Sequence, residues 1–459
     1  MGVRKGEGPR FSREMTIDVS VRDLEDLLAT TFLSMDYYLC STSKRTVWKG
    51  ASLELHNNRY PIVVASDQLD RLAAWYDDRL DNERSLFQHV GLLDAGMNAT
   101  EEDELFIIAA GDPEEASSKP LEFHWKSQKI LLPTPNFMPG RIQTRRFKEY
   151  LRLFDFAIRQ TYALSHEQVA KLIDRLAVWM LRGFIVELPR RLYMQSQRGL
   201  SLSALSSFDE FCKERLVLGK RIYEPINPEE FFGLLGLENN ETIDLETTSP
   251  PKSIYLFRDD DMMIVDLVSN PTMLAGLLYR AQLSDTERNL KSEAFEDEIW
   301  HFLSDVKGIT QPFPVRKIFR KDGRDMAQVD VSLGKDKALF LIECKAFSQN
   351  RNLVLGETHA VRNRWKLVQQ WIMESEQKVK KITQAPVGDN YAIPKEFSHI
   401  VPIVTSTFPE FFFDLSVEFT LDTKTPAVCT PFELRRFLDA FSFDQLGNLQ
   451  HAQPINWPN

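Results

Sequence analysis

Residues 328–347 read QVDVSLGKDKALFLIECKAF, two apolar strand patterns joined by a short polar turn. In the first, Val329, Val331 and Leu333 alternate with Asp330 and Ser332. In the second, Leu339, Leu341, Glu343 and Lys345 fall on one side and Phe340, Ile342 and Cys344 on the other, because successive side chains of a strand point to opposite faces. With Gly334, Lys335, Asp336 and Lys337 as the turn, antiparallel pairing sets Asp330 opposite Leu341. Asp330 and Glu343 then become diagonal neighbours, about 7 Å apart at their Cβ atoms. Two carboxylates and a lysine on one face suit a hard divalent cation, whose natural ligands are oxygens.

The flanks supply helices and strands in an alternating order. Phe295, Ile299, Phe302, Leu303 and Val306 recur at helical spacing, which predicts a helix over 290–306. Residues 312–320 read as a strand. Trp365, Val368 and Ile372 form the apolar stripe of a helix over 362–382, and HIVPIVTST, residues 399–407, reads as a buried strand. The first helix carries Glu293, Glu296, Asp297 and Glu298. Glu296 and Glu298 flank the stripe on opposite sides and Glu293 and Asp297 point toward water, so periodicity leaves two candidates open.

The D-x12-E-x-K pattern of Asp330, Glu343 and Lys345, set among these elements in this order, resembles the PD-(D/E)XK nuclease superfamily over residues 288–410. Val329 stands where the strict pattern has proline. The resemblance implies an α/β domain with a mixed-sheet, restriction endonuclease-like core flanked by helices. It implies Mg²⁺, with Mn²⁺ as substitute, held by Asp330, Glu343 and the Cys344 backbone carbonyl. Lys345 then orients and deprotonates the attacking water or stabilises charge on the phosphate. Mrr-like relatives carry a Phe-Glu pair on the first helix, so Phe295-Glu296 selects Glu296 as a further metal-site carboxylate. Gln369 and Gln370 are similar to a glutamine that some branches place near the site, and Gln369 is taken as the site residue.

The activity implied is hydrolysis of DNA phosphodiesters, with an endonuclease favoured over an exonuclease. Restriction or anti-phage defence effectors have a similar architecture, and cutting two strands with one site per chain favours a homodimer or higher homo-oligomer. The rival readings are a non-catalytic nucleic-acid or protein-binding module, and a nuclease subunit silent until a partner protein engages the N-terminal half. RNA as substrate stays open.

The charge pattern is local. The 459-residue chain carries a net charge of −10, which argues against a general affinity for nucleic acid. Arg316, Lys317, Arg320, Lys321 and Arg324 nonetheless crowd together against Asp322 alone. Arg362, Arg364, Lys366, Lys378, Lys380 and Lys381 outnumber Glu374 and Glu376 on the second helix. Basic segments on both sides of an acidic site suit a phosphate backbone. Arg316, Lys317, Arg320, Lys321, Arg324, Arg362, Arg364 and Lys366 are the expected contacts. Trp365 and Trp371 are able to stack on bases, but at helical spacing they read as core.

Elsewhere the chain is 43% apolar and 27% charged, as a folded soluble protein requires. Its beginning lacks an apolar signal run and no stretch is long enough to span a bilayer, which predicts a cytoplasmic protein with no membrane partner. Cys40, Cys212, Cys344 and Cys429 are scattered without ligand spacing and read as reduced thiols. No phosphate-binding G-x-x-x-x-G-K-[ST] loop occurs, so any motor lies on another chain.

Four segments are expected. A mixed α+β region of unassigned role covers 1–144, with strands at 59–65 and 105–110. A helical region covers 145–237, in which Ser165 and Gln168 cap one helix and Arg190, Arg191 and Arg198 form a basic cluster. An acidic linker covers 238–252. The nuclease-like domain covers 253–459, opening with two short strands before a helix at 271–290. Thr430-Pro431-Phe432-Glu433 combines an N-cap, a proline at the first helical position and a capping glutamate, which starts a helix running to 441.

Overall fold

The computed structural model describes residues 51–56, 60–85, 88–90, 104–110, 121–125, 128–132, 137–182, 200–218, 221–237, 256–259, 262–266, 288–346, 358–413 and 419–457, residue 423 excepted, with a few single positions besides. The chain has mixed α/β content and divides into two compact units, neither contiguous in sequence. One comprises 1–42, 86–148 and 167–280; the other comprises 43–85, 149–166 and 281–459. The linker at 238–252, the basic cluster at 190–198 and most of the helix expected at 271–290 lie outside the described residues.

The first unit contains a four-stranded mixed sheet in the order Gly236–Leu237, Leu256–Asp259, Met262–Asp266, Leu200–Ala204. Its first pair is parallel and the other two antiparallel. Helices Leu205–Lys213 and Pro228–Leu235 pack with it; Phe208 and Phe211 meet Trp179, and Phe232 meets Phe208, in an aromatic cluster. The helical region expected at 145–237 is interrupted by a strand at Leu200–Ala204. LSLSA alternates with the period of a strand, and Met262–Asp266 supplies its partner. The strands expected at 59–65 and 105–110 occur as Tyr60–Val64 and Glu104–Ala110. The Leu256–Asp266 hairpin belongs to this unit, although the linear reading put it at the head of the site-bearing domain.

The second unit starts with β1 (Ser52–His56) and β2 (Tyr60–Val64), an antiparallel hairpin, then α1 (Asp67–Ser85) and α2 (Asp155–Tyr162). There follow α3 (Arg288–Leu303), β3 (Lys317–Lys321), β4 (Arg324–Val329), β5 (Val331–Lys335) and β6 (Ala338–Lys345). After them come α4 (Thr358–Gln384), β7 (His399–Ser406), β8 (Val428–Cys429), α5 (Pro431–Ala440) and β9 (Gln453–Pro454). A five-stranded mixed sheet runs β5-β6-β7-β8, with β9 also paired to β7. β5 and β6 are antiparallel, β6, β7 and β8 are mutually parallel, and α4 is the crossover between the parallel pair β6 and β7.

The two faces of β6 are those the alternation predicted. Leu339 and Leu341 join a core with Val379 and Ile382 of α4, Ile400 of β7 and Phe319, Ala327 and Val329 of the β3–β4 hairpin. Phe340 faces the other way and meets Phe437 and Phe441 at α5, while Phe302 of α3 meets Phe432. A strand covered on both faces is buried along its length, and β5 is too. Each such leucine or phenylalanine contributes about 1.5–3 kcal/mol by leaving water.

The turn differs from the expectation. Asp336 and Lys337 alone connect β5 to β6, both in the left-handed region with φ of 46° and 65°. Two-residue turns of this kind match the twist of paired strands. Gly334, expected in the turn, instead pairs with Leu339. A Cβ there would come within 2.5 Å of Phe397 Cζ and Thr310 Oγ1, so glycine serves close packing. The pairing register therefore slides by two residues, which keeps every side chain on its expected face.

Residues far apart in sequence fasten this unit. Arg79 of α1 is buried, donating from Nε and Nη2 to Glu433 at 2.5 and 3.0 Å and from Nη1 to the Glu410 carbonyl at 2.7 Å. The helix start read at Thr430 is present with both reciprocal capping bonds. Lys335 donates to the Leu438 carbonyl at the far end of α5, where a cation complements the helix dipole.

Candidate active site

Asp330 lies at a bend between β4 and β5, where the chain leaves one strand pair for another. A single strand was expected through this position; side-chain alternation continues across the bend, so the pattern did not reveal it. Its backbone carbonyl accepts the Arg316 N–H at 2.8 Å and its Oδ2 accepts the Cys344 N–H at 2.8 Å. The carboxylate thus takes an amide of β6 immediately beside Glu343. Val331 pairs with Ile342, and Asp330, the residue before it, bonds the Cys344 amide, so its charge acts on Glu343. The ladder places Val331, not Val329, opposite Ile342, two residues along from the arrangement inferred from a four-residue turn.

Glu343 is 6% exposed and both of its oxygens face lysines. Lys378 Nζ lies 2.6 Å from Oε1, and Lys345 Nζ lies 3.7 Å from Oε2. Burial, and then the Asp330 charge, push the Glu343 carboxyl above its ordinary value, against the pull of both lysines. This is the signature of two carboxylates sharing a poorly hydrated space. Lys378 reaches it from α4, whose buried Ser375, Val379 and Ile382 face the sheet. Lys378 sits at the edge of that stripe, and its four-carbon stem spans from helix to strand.

Glu296 of α3 is 4% exposed, with Arg316 Nη1 at 3.4 Å from its Oε2. Arg316 also bonds Asp297 and the Glu293 carbonyl. Glu298, the other candidate left open by periodicity, pairs with Arg152 at 2.6 Å. Cys344 has its thiol pushed well above the usual range by burial, then by Asp330, Glu296 and Glu343, which sets those three carboxylates around one residue. Among the described residues no group of three or more His, Cys, Asp or Glu side chains forms a metal cage. Asp330 and Glu343 fit a cation that keeps several waters, since Mg²⁺ is commonly bound through one or two carboxylates.

The expected phosphate contacts divide into two groups. Arg316 is committed to α3, Arg320 pairs with Asp325 at 2.7 Å, and Arg364 forms a bidentate pair with buried Glu410 while covering the Trp371 ring at 4.9 Å. Lys317 is half-buried; Lys321 and Arg324 at the β3–β4 turn, and Arg362 and Lys366 on α4, are exposed. Gln369 is half-buried on α4, nine residues before Lys378, or about 13 Å along the helix axis. Trp371 is buried and Trp365 packs against Phe412, Phe413 and Phe419, as core.

Lys378 is the site residue the sequence reading did not single out. It had entered only as one charge in a basic segment. Its position one residue before Val379, beside an apolar stripe that faces the strand carrying Glu343, was the available signal. No protein-family model, curated protein or solved structure matches the chain.

Proposed function

We propose that the chain is a metal-dependent nuclease of the PD-(D/E)XK type, acting on phosphodiester bonds of DNA. The observation that supports it most is that Asp330 bonds the Cys344 amide beside Glu343, and Lys345 follows Glu343 by two residues on the same face, at the end of a buried strand in a mixed sheet. On this reading Asp330 and Glu343 would hold Mg²⁺, with the Cys344 carbonyl as a third ligand and buried Glu296 as a further carboxylate acting through water. The cation, when bound there, would supply a low-pKa water and neutralise charge on the phosphate. Lys345 would orient the attacking water by hydrogen bonding and stabilise charge on the phosphate; its compact charge is suited to a partly desolvated strand edge. Arg316 bonds the Asp330 carbonyl through its backbone and Glu296 through its guanidinium, so it ties the two acidic elements together.

The preference for DNA, for internal cleavage, for a homodimer, for a cytoplasmic setting and for a role in restriction or anti-phage defence follows the superfamily resemblance. No described helix is long and apolar enough to cross a membrane. A second reading, a nuclease silent until a partner engages it, draws support from the two lysines on Glu343 and from Arg316, Arg320 and Arg364 being held in internal ion pairs.

The deciding experiment is cleavage of supercoiled plasmid, linear duplex and single-stranded DNA, beside RNA, with Mg²⁺ or Mn²⁺ at fixed salt. Wild type is run beside Asp330→Asn, Glu343→Gln and Lys345→Met. Metal-dependent cutting lost in all three variants supports the proposal. Cutting that survives Glu343→Gln overturns it. No cutting by wild type alone, with cutting restored by a partner, selects the second reading.

A further inference from the structure

We propose that Lys378 is a further catalytic residue of this site, the counter-ion of Glu343 in the metal-free protein and of the substrate phosphate once displaced. The inference rests on the metal-dependent nuclease reading. An ammonium 2.6 Å from Glu343 Oε1 occupies an oxygen that a divalent cation needs, and adds a like charge beside it. Lys345 does not play this part. It lies 3.7 Å from the other oxygen, beyond hydrogen-bond distance, and hangs from the same strand two residues away.

Lys378 comes from a different element and its side chain is 29% exposed. Rotation about its flexible stem releases Glu343 and turns the ammonium outward without moving the backbone. Arg316 and Arg364 stay with their carboxylates, so the charge freed at Glu343 is that of Lys378. The same side chain therefore opposes metal entry and neutralises phosphate after it.

The test is Mn²⁺ binding by isothermal titration, without nucleic acid, on the full chain and on Lys378→Met, with Lys378→Gln as a second form. Lys381→Met, an exposed lysine one turn along α4, reports the general effect of removing a positive charge. Lys378→Met is expected to bind Mn²⁺ between about 5-fold and 150-fold more tightly, the usual span of coupling between two ligands. Single-turnover cleavage at saturating Mn²⁺ is expected to fall. A structural ion pair does not give these opposite signs. Unchanged or weaker Mn²⁺ binding by both Lys378 variants, or tightening no greater than in Lys381→Met, overturns the inference, as does unchanged cleavage. If Glu343→Gln abolishes Mn²⁺ binding in that case, the nuclease reading survives. Absence of Mn²⁺ binding by wild type and by Lys378→Met overturns both.

Discussion

Arg79 and Glu433, separated by 354 positions, form a buried bidentate ion pair, each side chain 5% exposed. The guanidinium also lies over the Trp75 ring at 5.0 Å and the Phe412 ring at 5.5 Å. Nearly every donor direction of this cation is therefore spent within the unit that carries Asp330 and Glu343. The contact fixes α1 to the start of α5, and through the Glu410 carbonyl to the segment after β7.

Removing one partner leaves the other charge buried and uncompensated, which typically costs about 3–5 kcal/mol. Arg79→Met is expected to lower stability by that order in urea denaturation. Glu433→Gln keeps the capping bonds, because glutamine serves at the third helical position as glutamate does. Arg79→Met combined with Glu433→Gln should therefore recover part of the loss. A double variant as unstable as the sum of its single variants would show that the two residues act independently.

The same pair sets an acid limit. Burial alone would raise the Glu433 carboxyl, but Arg79, the Thr430 amide and Arg436 outweigh it and hold the group below its ordinary 4.5. A depressed carboxyl contributes stability that is complete above the ordinary value and is lost as pH falls through the folded-state value. Wild type should lose stability steeply below about pH 4.5, and Arg79→Met less so. Melting temperatures of both proteins from pH 3 to pH 7 check this; parallel curves would contradict it.

Local chemistry was legible in the sequence where the residues concerned are neighbours. The faces of β6 followed from a period of two, and the Thr430 cap from four consecutive residues. The register was not legible, because Gly334 reads as a turn residue while its actual role is to admit Phe397 and Thr310. The bend at Asp330 was hidden because alternation persists when a chain passes from one sheet to another. Arg79 was invisible for a further reason: it finds its carboxylate only after α1 has docked, while Lys378 showed only through its place beside the apolar stripe of α4.

Gly334 yields a direct stability prediction. Two contacts of 2.5 Å are shorter than any Cβ tolerates, one to a ring carbon of Phe397 and one to the hydroxyl of Thr310, whose backbone bridges to Gly334. Gly334→Ala is expected to cost about 1–3 kcal/mol, the usual range for overpacking a filled core. Phe397→Leu in the same chain should return part of that loss by vacating ring volume. A neutral Gly334→Ala would mean that Thr310 and Phe397 can both move aside.

The cysteines divide by burial. Cys40 is exposed, whereas Cys212, Cys344 and Cys429 are buried. Burial pushes the Cys212 thiol up to about 12 and the Cys344 thiol well above its usual range. Thiolate, the reactive form, is therefore scarce at both positions at neutral pH. Titration of the native protein with an aromatic disulfide reagent at pH 8 should give one fast equivalent, with the other three appearing on unfolding. A fast reaction at Cys344 would mean that the strand carrying Glu343 opens readily.

Cation binding should appear in stability before any activity is sought. A ligand that binds only the folded chain stabilises it, by about 2.7 kcal/mol at a concentration one hundred times its dissociation constant. Mn²⁺ or Mg²⁺ is therefore expected to raise the melting temperature of wild type in proportion to the logarithm of its concentration. Asp330→Asn should abolish the rise while keeping the bond to the Cys344 amide, since the asparagine carbonyl oxygen accepts as the carboxylate does. Glu343→Gln should abolish it as well, and Glu298→Gln, which alters the pair with Arg152, should not. A rise that persists in Asp330→Asn and Glu343→Gln would locate the cation away from these two carboxylates and remove the chemical basis of the proposed site.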